Sequence, residues 1–229
     1  MHTRRGQENQ DRILFSETGR CLFAGLADGV SACACGGQGA QIACEAAAKL
    51  LFEETRYFFN SAEEKIAQLT LDYIRTRLEA AAAAAGRPAA QYASTLSFAC
   101  VEKRAGALLL FQLGDSAVFL LRNGVLTPAF PAGRTEERGG VYTTCTAQAH
   151  RFANVRLLPA AAAGRVLLCS DGAWRRMYLR DRIDPAAAAA AQASPALLEA
   201  FLARTPCADD ASFLCFDPLP ETGGGHGEQ

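Results

Sequence analysis

Two short apolar runs, far apart in the chain, each end on an aspartate followed by glycine. The first is Leu22–Gly29, LFAGLADG, and the second is Arg165–Gly172, RVLLCSDG. Short bounded apolar runs read as buried strands, so Asp28 and Asp171 stand at strand exits. A third acidic spot, Asp209-Asp210, opens another apolar run, 211–216. Carboxylates from such distant segments meet only if their strands lie side by side. Packed together they repel strongly unless a cation sits among them. Oxygen donors alone favour hard ions such as magnesium or manganese. Asp115, in Gly114-Asp115-Ser116, is a fourth candidate carboxylate. Asp11 is a fifth, placed to hold a water from outside the ligand shell. Asp-Gly is also ordinary turn chemistry; the placement of these acids after strong apolar runs favours the site.

The elements that must carry these acids are readable in outline. Two strands are expected over 12–15 and 20–27, with a glycine-rich loop at 30–39. Helical spacing runs from Gln38 to Phe59, with Ile42, Ala46 and Leu50 as its stripe. A second helix is expected with Ser61 and Glu64 as a capping box and Ile66, Leu69, Tyr73, Ile74 and Leu78 facing the core. It should stop at Gly86-Arg87-Pro88. Hairpins are expected around 103–106 and at Asn123-Gly124, weaker strands over 141–146 and 152–158, and a strong one over 166–170. A short helix at 174–177 precedes a longer one from Asp184-Pro185 to about Arg204, kinked or split at Pro195. A last strand covers 211–216. Helices segregated from hairpin-linked strands make this α+β. A single domain over 1–217 and a disordered tail at 218–229 complete the expected organisation.

Composition narrows the function classes. The 229 residues carry a net charge of −1, which argues against nucleic-acid or membrane binding through bulk charge. No apolar run approaches a membrane span, and the polar start reads as lacking an export signal, so a cytoplasmic protein is expected. Nine scattered cysteines read as reduced packing residues. Cys33-Ala34-Cys35 is a tight pair without the companion ligands of a zinc site.

Five blocks in order, Glu8-Asn9-Gln10-Asp11, Ala27-Asp28-Gly29-Val30, Leu113-Gly114-Asp115-Ser116, Cys169-Ser170-Asp171-Gly172 and Ala208-Asp209-Asp210-Ala211-Ser212, resemble those of the metal-dependent serine/threonine protein phosphatases, the protein phosphatase 2C family, in a compact bacterial-like form. The resemblance implies a four-layer α-β-β-α sandwich, with two antiparallel sheets face to face and helices on both outer faces. It implies hydrolysis of phosphoserine and phosphothreonine by a metal-bridged water, with two Mg2+ or Mn2+ ions and a weaker third. Asp28 would bridge both ions, Gly29 would offer its carbonyl, and Asp171 and Asp209 would complete the pair. Asp115 with Asp171 would make the third site, and Asp11 would hold water. The family's phosphate-binding arginine falls at Gly6 here, leaving neighbouring Arg5, or Arg4, as the candidate. Val30-Ser31 stand where animal members carry a general-acid histidine. The flap of many bacterial members would be reduced to 131–140. A phosphorylated protein substrate and a separate cognate kinase are the implied partners. Alternative readings are an inactive partner-binding module and a phosphoesterase for small esters.

Overall fold

A computed structural model describes residues 8–131, 140–205 and 209–218. Arg4, Arg5, most of the expected flap, Cys207 and nearly all of the expected tail lie outside the described residues. Strands β1 (Arg12–Glu17) and β2 (Cys21–Ala27) lead to helices α1 (Gly36–Glu53), α2 (Thr55–Phe58) and α3 (Glu63–Ala84). Four strands follow: β3 (Leu96–Glu102), β4 (Ala107–Leu113), β5 (Ala117–Arg122) and β6 (Val125–Pro128). After β7 (Asn154–Pro159) and β8 (Arg165–Cys169) come α4 (Asp171–Trp174), the small hairpin β9 (Tyr178–Leu179) and β10 (Arg182–Ile183), α5 (Pro185–Ala193), α6 (Pro195–Leu202) and β11 (Phe213–Phe216). One sheet has the order β1-β2-β3-β4-β7 and the other β11-β8-β5-β6. Every pairing is antiparallel.

Alternate side chains of the central strands explain why their sequences are apolar throughout. In β4, Leu109, Phe111 and Leu113 pack with α1 and α3, while Leu108 and Leu110 join the core between the sheets. In β8, Val166 and Leu168 face that same middle core, and Leu167 and Cys169 pack with α5 and α6. A strand covered on both faces needs no polar alternation. Three cores in this order place sheet on sheet, with helices outside each.

Several local expectations are corrected. The first helix breaks at Glu54, where the Thr55 hydroxyl donates back to the Leu51 carbonyl (2.8 Å), a bond that competes with the helix ladder. Its buried residues include Ala40, Ala43, Cys44, Ala46, Ala47, Ala48 and Leu51; of the expected stripe Ala46 is buried, whereas Ile42 and Leu50 are half-buried. Small alanines bring the helix axis close to the sheet, and this outweighs the burial of the larger side chains. In α3, Ile66, Ile74 and Leu78 are buried, but Leu69 and Tyr73 sit at the margin. The capping box does not form. Ala62 is the N-cap without a side-chain bond, and the Ser61 hydroxyl instead donates to the Tyr57 carbonyl (2.7 Å). Residues 141–146 form no strand but run irregularly into a turn, where Thr146 Oγ1 accepts from the Thr143 N–H (2.9 Å).

The Asn123-Gly124 turn forms, with φ of 49° and 76°. The split at Pro195 also holds, with Ser194 Oγ accepting from the Leu197 N–H (3.2 Å) at the start of α6. Replacing Ser194 by Ala is expected to cost about 1 kcal/mol, read as a lower denaturant midpoint at unchanged slope. The eight described cysteines are free thiols, five of them buried. Among the described residues, no helix is long and apolar enough to cross a membrane.

Candidate metal centre

Strand register brings the acids to one end of the sandwich. Asp11 immediately precedes β1 and Asp28 immediately follows β2, and the adjoining Arg12 and Ala27 are paired. Asp115 lies between β4 and β5. Asp171 begins α4 directly after β8, and Asp209 lies just ahead of β11, which pairs with β8. Asp28, Asp115, Asp171 and Asp209 thereby line one cavity of about 340 Å³, together with Gly29.

Backbone bonds hold the rim. The Asp28 N–H donates to Thr95 Oγ1 (3.0 Å), and the Thr95 N–H donates to the Asp28 carbonyl (2.8 Å). Thr95 Oγ1 also meets Ser116 Oγ at 2.8 Å, which ties the exit of β2 to the entry of β5. Between β8 and β11, the Ser170 N–H donates to the Ser212 carbonyl and the Ser212 N–H donates to Ser170 Oγ, both at 2.9 Å. Asn9 Oδ1 accepts from the Asp11 N–H (2.7 Å), and Arg12 Nη1 donates to the carbonyls of Asn9 (2.6 Å) and Asp11 (2.9 Å). Asp210 Oδ2 accepts from the Gln10 N–H (3.0 Å). With its amide nitrogen turned inward, Gln10 donates to the carbonyls of Gly29 and Val30 (3.1 Å each).

Gly29 is required by close approach. A Cβ there would stand 2.4 Å from the Gly36 carbonyl carbon and 2.7 Å from the Gly37 nitrogen. This contact seats the loop at residues 30–35 against the start of α1.

The electrostatics are those of crowded like charges. Burial raises the Asp28 carboxyl to about 9, helped by repulsion from Asp11, Asp171, Asp115 and Asp209. Burial raises Asp171 to about 6, with Asp115 adding to the rise and Arg175 opposing it. Asp115 is also raised, mainly by burial. Asp11, only 1% exposed, is raised by burial against the lowering influence of the Ser212 and Ser170 hydroxyls. Those hydroxyls lie close, yet neither Asp11 oxygen has a hydrogen bond of full geometry.

Among the described residues, no three acidic, histidine or thiol side chains form a ready-made metal cage. The acids ring the cavity instead of meeting at one point. Their chemistry still fits a hard divalent ion. Carboxylates and the Gly29 carbonyl are oxygen donors, and a cation would offset the repulsion that raises Asp28. The unpartnered Asp11 oxygens leave acceptors open to a bound water.

Residues 1–203 match the family model described as Protein phosphatase 2C. This chain belongs to that family. Asp209 and β11 lie beyond the matched segment, so their place in the cavity rests on the geometry above. Among solved structures, a C. elegans sex determining protein superposes with a TM-score of 0.69 at 14% identity, over 96% of this chain and 64% of that one. This chain therefore spans less than two thirds of that relative. PppA, a regulatory component of the type VI secretion system of Pseudomonas aeruginosa, gives 0.63 at 18% identity, over 91% and 90%. The catalytic domain of the phosphatase PstP, in complex with two manganese ions, gives 0.59 at 21% identity, over 91% and 90%. No curated protein matches the sequence. At these identities the structural likeness speaks for the fold, an α+β assembly of antiparallel sheets.

The blocks around Asp11, Asp28, Asp115, Asp171 and Asp209 pointed to this end of the molecule. Thr95, Trp174 and Arg175 did not stand out, because no local pattern marks them. Arg175 lies one helical turn past Asp171, and that spacing was the available signal. Arg5 lies outside the described residues.

Proposed function

We propose that this chain is a metal-dependent phosphatase acting on phosphoserine and phosphothreonine in proteins. The observation that carries the reading is the convergence of four carboxylates from four separate chain segments on one cavity, where their repulsion adds to burial in raising Asp28. Asp28, the Gly29 carbonyl, Asp171 and Asp209 would together hold the metal. Two Mg2+ or Mn2+ ions held there supply charge neutralisation for phosphoryl oxygens and an acidified water. Asp11, buried beside the cavity, would hold such a water through its open carboxylate oxygens. Thr95 and Ser116 fix the rim so that the acids keep their positions. Asp115 contributes to the field across the cavity from Asp28. The N-terminal Arg5, or Arg4, would receive the substrate phosphate, and a separate kinase would supply the phosphorylated partner.

The purified chain is expected to hydrolyse p-nitrophenyl phosphate and a phosphothreonine peptide with Mn2+, and to lose both activities with excess chelator. Turnover that survives exhaustive chelation overturns the metal reading. Activity confined to the small ester moves the assignment to a small-molecule phosphoesterase. No Mn2+ uptake up to millimolar concentration in calorimetry makes the chain an inactive partner-binding module.

A further inference from the structure

Asp115 and Asp171 reach the cavity from different strand ends, and each is mostly buried, with side chains 14% and 10% exposed. A guanidinium already lies between them. Arg175 Nη1 stands 2.9 Å from Asp171 Oδ2, and Nη2 stands 3.6 Å from Asp115 Oδ2. The Arg175 side chain is 56% exposed, but its guanidinium is also held from a second side. Its Cζ lies 5.7 Å from the centroid of the Trp174 ring, within cation–π range. Trp174 is itself fixed, because its Nε1 donates to the Asp115 carbonyl (2.8 Å) and its ring meets Tyr178 edge-on at 5.5 Å. The aromatic support of the cation is thus anchored to one of the two residues that the cation neutralises.

We propose that Arg175 is the resident counter-ion of the Asp115–Asp171 pair and takes the place of a third divalent ion there. The inference rests on the metal reading above, and it sets the pair apart from the two-ion site. A guanidinium keeps its charge at any pH a protein tolerates. A divalent ion entering between Asp115 and Asp171 would have to displace it, or bind against its repulsion while sharing its carboxylates. Asp171 retains its other oxygen for the two-ion site, and Asp115 is left as a partner of Arg175. Arg175 acts as a positioning residue, orienting two carboxylates through its own charge.

The test is Mn2+ stoichiometry, measured by equilibrium dialysis with elemental analysis on the full chain. Wild type is expected to take up two ions. Arg175→Ala should take up one more, Arg175→Lys should match wild type, and Arg175→Ala combined with Asp115→Asn should lose the extra ion. A third ion already present in wild type overturns the inference, and that measurement needs no variant to fold. Equal stoichiometry in wild type and Arg175→Ala also overturns it, as does an extra ion that survives Asp115→Asn. If no protein takes up any ion, the metal reading fails and this inference fails with it.

Discussion

Asp28→Asn is expected to cut phosphatase turnover by about 100- to 1,000-fold while making the metal-free protein more stable above neutral pH. The two effects have one cause. Asp28 lines the acidic cavity and is raised to about 9 from 3.8, by burial first and then by four neighbouring aspartates. A carboxyl raised in the folded state stabilises the fold most where it is protonated in both states, below its unfolded value. That contribution is lost as the pH climbs from about 4 toward 9, because in this window the unfolded chain gives up the proton while the folded protein still holds it. The amide of Asn cannot ionise, so the variant escapes this loss. Melting curves in chelator from pH 5 to 9 should therefore fall for wild type and run flatter for Asp28→Asn. Adding Mn2+ should reverse the order, because only the wild type gains a ligand charge that binding stabilises. A variant that melts in parallel with wild type at every pH would show that Asp28 does not carry the repulsion assigned to it.

Much of this arrangement was legible because the chemistry falls at the ends of elements with strong signals. Asp28 and Asp171 each close an apolar run that is covered on both faces, so strand and acid were read together. Asn123-Gly124, the Asp184-Pro185 start and the interruption at Pro195 follow from local backbone preference alone, and all three hold. Expectations failed where a side-chain hydroxyl competes with the backbone for a carbonyl. Ser61 was expected to cap α3, but its hydroxyl reaches the Tyr57 carbonyl; Thr55 likewise takes the Leu51 carbonyl and ends α1 early. Of the stripe expected on α1, Ala46 is buried but the larger Ile42 and Leu50 are only half-buried. Close packing against the sheet selects alanines at 40, 43 and 47 instead. The Arg175 bridge was invisible for a different reason. One of its carboxylate partners, Asp115, lies 60 residues away in sequence, and only the pairing of β5 with β8 brings Asp115 and α4 together.

That same dependence on tertiary contact makes Gly172→Ala the sharpest test of how the cavity is built. A Cβ on Gly172 would stand 2.0 Å from the Asp210 carbonyl oxygen and 3.4 Å from the Asp209 Cβ. The obstacle at 2.0 Å is backbone, so no side-chain rotation can relieve it. Either α4 or the segment carrying Asp209 and Asp210 must move. Overpacking of this kind costs about 1–3 kcal/mol, but the functional cost should be larger than the structural one. Asp171 precedes Gly172 directly, and Asp209 lies beside the clash, so two of the acids assigned to the metal are pushed apart. Asp210 also accepts the Gln10 N–H, which extends the disturbance to the segment holding Asp11. The expected result is a folded protein with a lowered melting point, Mn2+ affinity reduced at least about tenfold, and turnover lost at Mn2+ levels that saturate wild type. Circular dichroism establishes the fold and calorimetry gives the affinity. Gly86→Ala serves as the comparison: Gly86 has φ of 61° and open space around its Cβ position, so it carries a backbone penalty far from the cavity. A Gly172→Ala protein that binds Mn2+ as tightly as Gly86→Ala would mean that Asp171 and Asp209 do not hold the metal together, and the pairing of β8 with β11 would then serve stability alone.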